Sequence, residues 1–115
     1  MPWVLNLHGG GTKIPPTHYD VLRKQAEAFA KTRPWFSEFE LILRFKNQFC
    51  YLDAMNRKDK KPFSIGRLRY FSGRSAWSLA FYTYSNERYQ PCIFPNGTEE
   101  GSLEEGIAVC AMYLN

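Results

Sequence analysis

Asp53, Arg67 and Arg69 are the residues of this chain whose types and spacing come closest to chemistry, because strand periodicity puts all three on one sheet face. Two guanidinium groups could hold the carboxylate or phosphate of a substrate in their rigid forks, and Asp53 could serve as a general base. The same residues could instead form a cross-strand ion pair joining two hairpins, and the sequence leaves both readings open. Tyr51 and Tyr82 would line a pocket around them. The segment Ser85-Asn86-Glu87-Arg88-Tyr89 adds polar groups, Asn86 and Arg88 among them, just after a strand. Binding residues often sit at such places, and Asn and Ser also make ordinary turns there.

Covalent and metal chemistry find little support. His8-Gly9-Gly10-Gly11 is similar to the oxyanion-hole loop of lipase-type hydrolases, but the companion Gly-x-Ser-x-Gly elbow is absent and the chain is too short for that fold. Gly10-Gly11-Thr12-Lys13 lacks the spacing of a phosphate-binding loop. Cys50 would need a base, and only His8 and His18 exist; its strand position also points it at the core. His, Cys and carboxylates do not cluster at ligand spacing, so no metal or cofactor is expected and no catalytic residue is assigned. Cys50, Cys92 and Cys110, odd in number and far apart, read as reduced, buried thiols. Asn96-Gly97-Thr98 reads as a turn.

These residues must be carried by one small body. The 115 residues, 44% apolar and 17% aromatic, fit a single α+β domain over 1–115. A chain of this length buries about 65% of its unfolded surface, enough for a core without disulfides. No apolar run is long enough to span a bilayer, and Met1-Pro2-Trp3-Val4-Leu5-Asn6-Leu7 does not resemble a signal peptide, so a soluble, cytoplasmic protein without membrane contact is expected. The net charge of +4 is unevenly placed: Glu99, Glu100, Glu104 and Glu105 leave residues 1–98 with fifteen bases against seven acids. Ser102 and Glu105 have the spacing of a capping box, which explains part of the acidic cluster. Arg57-Lys58-Asp59-Lys60-Lys61 is either a solvated loop tip or a salt-sensitive landing point for phosphates.

The periodicities give an element order. Trp3 to Leu7 is a short strand candidate, and the three glycines after it must be irregular. Pro15-Pro16-Thr17 announces a helix with Thr17 as N-cap, whose inner face carries Val21, Leu22, Gln25, Ala26, Phe29 and Ala30, ending before Pro34. From Glu38 the period is two. A turn at Lys46-Asn47 would set Leu43 opposite Cys50 and Leu41 opposite Leu52; a second hairpin, Phe63 to Phe71 and Arg74 to Tyr84, would turn at Ser72-Gly73 and set Leu68 opposite Trp77. Gln90 to Phe94 adds an edge strand weakened by Pro91. A last helix, about Leu103 to Tyr113, turns Leu103, Ile107, Cys110, Ala111 and Leu114 inward.

The resulting fold is an antiparallel sheet of four to five strands with an N-terminal and a C-terminal helix on one face. The strand order is similar to cystatin-like folds in shape alone. The opposite face would carry Phe49, Tyr51, Met55, Phe63, Ile65, Tyr82 and Tyr84, with Glu40, Arg44, Asp53, Arg67 and Arg69 among them. A turn displaced by one residue is expected to exchange the two faces. Such a mixed surface suits a noncatalytic binding module, either for single-stranded nucleic acid, with the basic loop and arginines on the backbone, or for a protein partner, including a second copy of the chain. The alternative is a small enzyme or ligand-binding protein with an anionic-substrate pocket around Asp53, Arg67 and Arg69. The tracts Gln48-Phe49-Cys50-Tyr51-Leu52-Asp53-Ala54 and Phe81-Tyr82-Thr83-Tyr84-Ser85-Asn86-Glu87-Arg88-Tyr89, followed by Pro91-Cys92 and Pro95-Asn96-Gly97, resemble a group of small, mainly prokaryotic proteins of uncharacterised function. That resemblance implies no activity, cofactor or catalytic residue.

Overall fold

The computed structural model describes residues 12–71, 77–94, 97–98 and 100–114. The expected strand at Trp3–Leu7, the loop His8–Gly11 and the turn Ser72-Gly73 lie outside these residues. The chain makes helix α1 (Tyr19–Ala30), five strands β1 (Phe39–Lys46), β2 (Phe49–Asn56), β3 (Pro62–Tyr70), β4 (Trp77–Thr83) and β5 (Arg88–Cys92), and helix α2 (Leu103–Cys110). The strands form an antiparallel meander in the order β1-β2-β3-β4-β5. Both helices pack on one face, where Leu43, Cys50, Leu52, Leu68 and Leu79 meet Ala26, Ala30, Leu103, Ile107 and Cys110 in the core. The fold is therefore α+β as expected, and no described helix is long and apolar enough to cross a membrane.

Local chemistry accounts for the helix ends, with one correction. α2 has the capping box: Glu105 N donates to Ser102 Oγ at 3.0 Å and Ser102 N to Glu105 Oε1 at 2.9 Å. Thr17 does not cap α1. The two prolines instead start a short 3-10 turn, Pro16–His18, from which α1 continues without a side-chain cap. Val21 lies on the solvent side, 64% exposed, and Gln25 bridges to α2 by donating from Nε2 to Glu104 Oε2 at 2.8 Å.

The first hairpin turns at Asn47-Gln48, one residue later than expected, with Asn47 in the left-handed region at φ 54°. Leu43 therefore faces Leu52, and Leu41 faces Ala54. In the second hairpin Leu68 faces Leu79 rather than Trp77, an offset of the same size. Neither offset exchanges the faces, contrary to expectation: moving a two-residue turn by one position changes each pairing by two residues, and side chains repeat every two. What does move side chains is a bulge in β3. Leu52 faces Gly66 and Asp53 faces Ser64, so Ile65 is the extra residue. Ile65 is fully buried in the core, and Phe63 turns inward to meet Phe39 edge-on at 6.0 Å between ring centroids. Both had been expected on the outer face.

Candidate binding face

The outer face is built by all five strands, whose outward positions stand side by side across the sheet. Register sets Phe49 beside Arg69, Tyr51 between Arg44 and Arg67, Arg67 beside Ala80, and Tyr82 beside Tyr89. These neighbours pack as an alternating lattice of rings and guanidinium groups. The Arg67 guanidinium lies 4.1 Å from the Phe49 ring centroid and 5.0 Å from that of Tyr89, while Arg69 lies 5.5 Å from Phe49 and Arg44 5.0 Å from Tyr51. Tyr89 meets Tyr51 at 5.4 Å and Tyr82 at 5.0 Å, both edge to face, and Tyr84 meets Tyr82 at 4.7 Å. Edge-to-face contacts and cations over ring faces both follow from the ring quadrupole, so each group holds its neighbour in place.

No family model, curated protein or solved structure matches the chain. What the face can do must therefore be read from its own groups.

Asp53 is 7% exposed and its ion-pair partner is Arg44, which donates from Nε to Oδ2 at 2.5 Å and from Nη2 to Oδ1 at 3.2 Å. The expected grouping of Asp53 with Arg67 and Arg69 gives way to this pair for a geometric reason. Arg69 stands opposite Phe49, four residues along β2 from Asp53, or about 13 Å at the rise of a strand, and Arg67, opposite Tyr51, turns its guanidinium onto the Phe49 and Tyr89 rings instead. Arg44, opposite Tyr51 on β1, reaches Asp53 diagonally. The hydrogen bond to Asp53, ahead of the opposing cost of burial, raises the Arg44 pKa above its ordinary value. Arg69 is 4% exposed; burial, and then the like charge of Arg67, lower its pKa. It charges the face from beneath, whereas Arg67, half-buried, reaches its surface.

The remaining expected residues divide. Tyr51 and Tyr82 lie in the lattice, and Tyr84, 53% exposed, extends it by donating its hydroxyl to the Ser64 carbonyl at 2.6 Å. Burial, then the neighbouring Tyr82, raises the Tyr84 pKa. Asn86 sits in the exposed β4–β5 turn, and Arg88 opens β5 opposite Thr83, off the outer face. Arg88 lines, with Tyr89, Gln90 and Pro91, an open depression of about 370 Å³. Sequence reasoning left Tyr89 out of the site, although a four-residue turn over 84–87 would have set it opposite Tyr82. In the basic loop, Arg57 turns away to donate from Nε to the Phe36 carbonyl at 2.9 Å and to stack on the Phe36 ring at 4.5 Å. Lys58, Lys60 and Lys61 stay exposed, near the Ser64 end of the face.

The depression that touches Phe49, Arg67, Arg69 and Ser78 measures about 10 Å³. That is room for one water at most. Among the described residues no group of His, Cys, Asp and Glu could hold a metal ion, and the three cysteines are free thiols, Cys50 and Cys110 buried and Cys92 half-buried.

Proposed function

We propose that the chain is a noncatalytic binding module whose outer sheet face takes single-stranded nucleic acid. The observation that carries this reading is Arg67, held between the rings of Phe49 and Tyr89 on a face where Arg44 already neutralises the buried carboxylate Asp53. The face keeps a positive excess among aromatic rings, which is the combination that stacks bases and pairs with phosphates. From Phe49 to Met55 the platform runs about 20 Å along β2, and it ends near the Lys58, Lys60 and Lys61 loop, where a backbone could continue. Catalysis at Asp53, Arg67 and Arg69 is less well supported, because the carboxylate is held by Arg44 and the depression at Arg67 and Arg69, which Asp53 does not line, holds about 10 Å³.

The test is an anisotropy titration with a labelled mixed-sequence oligonucleotide at low salt. Binding that weakens with added salt, and that falls about tenfold in Arg67→Ala, is expected, since a stacked base or phosphate contact contributes about 1–3 kcal/mol. Absence of any salt-dependent binding would remove nucleic acid as the ligand.

A further inference from the structure

Strand β1 lies at the edge of the sheet. Lys46 and Phe49 flank the two-residue Asn47-Gln48 turn and so form its closing hydrogen-bonded pair. Bonded pairs then alternate along the hairpin, which turns the N–H and C=O groups of Phe39, Leu41, Leu43 and Phe45 away from β2. Among the described residues, no backbone group outside the strands bonds them. The opposite edge is protected, since Pro91 of β5 has no N–H to offer. β1 carries no proline and opens instead into a groove between itself and α1. Two depressions of about 240 Å³ each adjoin there, sharing Glu27, Glu40 and Leu41.

The outward side chains of β1 have a particular order, Glu40, Ile42, Arg44, Lys46, and Glu38 stands one residue before the strand with helical backbone angles, φ −105° and ψ −26°. Charge is negative on one side of Ile42, positive on the other, and the pattern inverts about that residue. We propose that β1 pairs antiparallel with β1 of a second copy of this chain, about a two-fold axis at Ile42. This register sets Phe39 opposite Phe45 and Leu41 opposite Leu43 of the second copy. Their outward backbone groups then form about eight hydrogen bonds, two for each bonded pair. It also sets Glu40 opposite Arg44 in the close non-hydrogen-bonded positions, with Ile42 against its own mate, and it brings Glu38, just before the strand, to the end where Lys46 of the second copy stands. A parallel, in-register pairing would oppose like charges at each of these places and is disfavoured. All four side chains are exposed, Glu40 and Arg44 at 49% and 53%; Arg44 also holds Asp53 and Glu40 lies 3.8 Å from Arg57, so Glu38 and Lys46 are the charges to exchange in a test. The groove rim on α1 likewise carries one charge of each sign, Arg23 and Glu27. The sheet would run unbroken through the axis and bring two outer faces side by side. The proposal does not depend on what the outer face binds.

Sedimentation velocity on the full chain tests it, from micromolar to submillimolar concentration at low salt. A dimer that dissociates on dilution is expected for the parent chain. Lys46→Glu or Glu38→Lys alone gathers like charges at both ends of the pairing and should weaken the dimer about tenfold. The double variant Glu38→Lys/Lys46→Glu restores the opposition and should return the parent dissociation constant. Both positions are exposed, and thermal melts verify that each variant is folded. A parent chain that stays monomeric throughout overturns the proposal, as does a dimer indifferent to either single change or not restored by the double.

Discussion

Gly66 gives the sharpest test of how the sheet and α2 fit together. It lies in β3 between Leu52 and Phe81, beneath Cys110. A Cβ at this position would stand 2.2 Å from Cys110 Sγ, 2.9 Å from the Ala80 carbonyl oxygen and 3.1 Å from Cys110 Cβ. The first two separations are shorter than real Cβ atoms tolerate, so Gly66→Ala must lift α2 or displace β3. Overpacking of this kind costs about 1–3 kcal/mol. We expect about 3 kcal/mol here, because one obstructing atom is a sheet carbonyl that cannot swing aside. Cys110→Ala removes one buried sulfur and should cost about 1 kcal/mol alone. In the double variant the closest clash is gone while the carbonyl contact remains, so its cost should fall short of the sum by more than about 1 kcal/mol. Urea unfolding of the four proteins, followed by the fluorescence of buried Trp35 and Trp77, measures the cycle. Costs that add to within about 0.5 kcal/mol would show that Cys110 does not set the clearance over Gly66.

Three further outcomes follow from particular contacts. Arg44→Leu leaves Asp53 buried without its ion pair and should cost about 2–3 kcal/mol by chemical denaturation, while Asp53→Asn, which leaves no stranded charge, should cost less. Burial pushes the Cys50 thiol up to about 12. A thiol whose pKa rises on folding stabilises the native state fully below its unfolded pKa and loses that contribution as pH rises towards the folded value. Unfolding free energy should therefore fall above about pH 9, by up to about 1.4 kcal/mol per pH unit for this thiol, and Cys50→Ala should flatten the slope; in native protein at pH 8, a thiol reagent should label Cys92 ahead of Cys50 and Cys110. Ser102→Ala removes the N-cap of α2 and should lower stability by about 1 kcal/mol, read as a shift of the urea midpoint at constant slope.

The two faces of the sheet were legible because alternation belongs to each strand separately. Leu41, Leu43 and Phe45 point inward whichever residues stand opposite them, so an error of two in pairing left them in place. The pairing itself depends on which residue takes positive φ, and Lys46-Asn47 and Asn47-Gln48 both offer Asn47 for that role. The bulge was hidden for a different reason. Phe63, Ile65, Arg67 and Arg69 alternate without a break, and only Gly66, a residue that weakens a strand interior, hinted at an interruption. Asp53 was assigned to the correct face and the wrong partner, since a diagonal reach from Arg44 is a matter of side-chain length that strand position does not report. Val21 shows the limit of residue type, being as apolar as its neighbour Leu22 and yet turned to solvent.

Each strand of the meander lies beside the strand made just before it. Closing each hairpin spans few residues and costs little chain entropy, so the sheet can zip up progressively from its first turn. Docking α2 cannot precede synthesis of the residues after Ser102. A polypeptide cut before Ser102 would keep the sequence of all five strands, but Leu68, Cys50 and Leu79 would lack the cover that α2 gives them. Such a truncated chain should expose apolar surface and aggregate, and restoring α2 should suppress it.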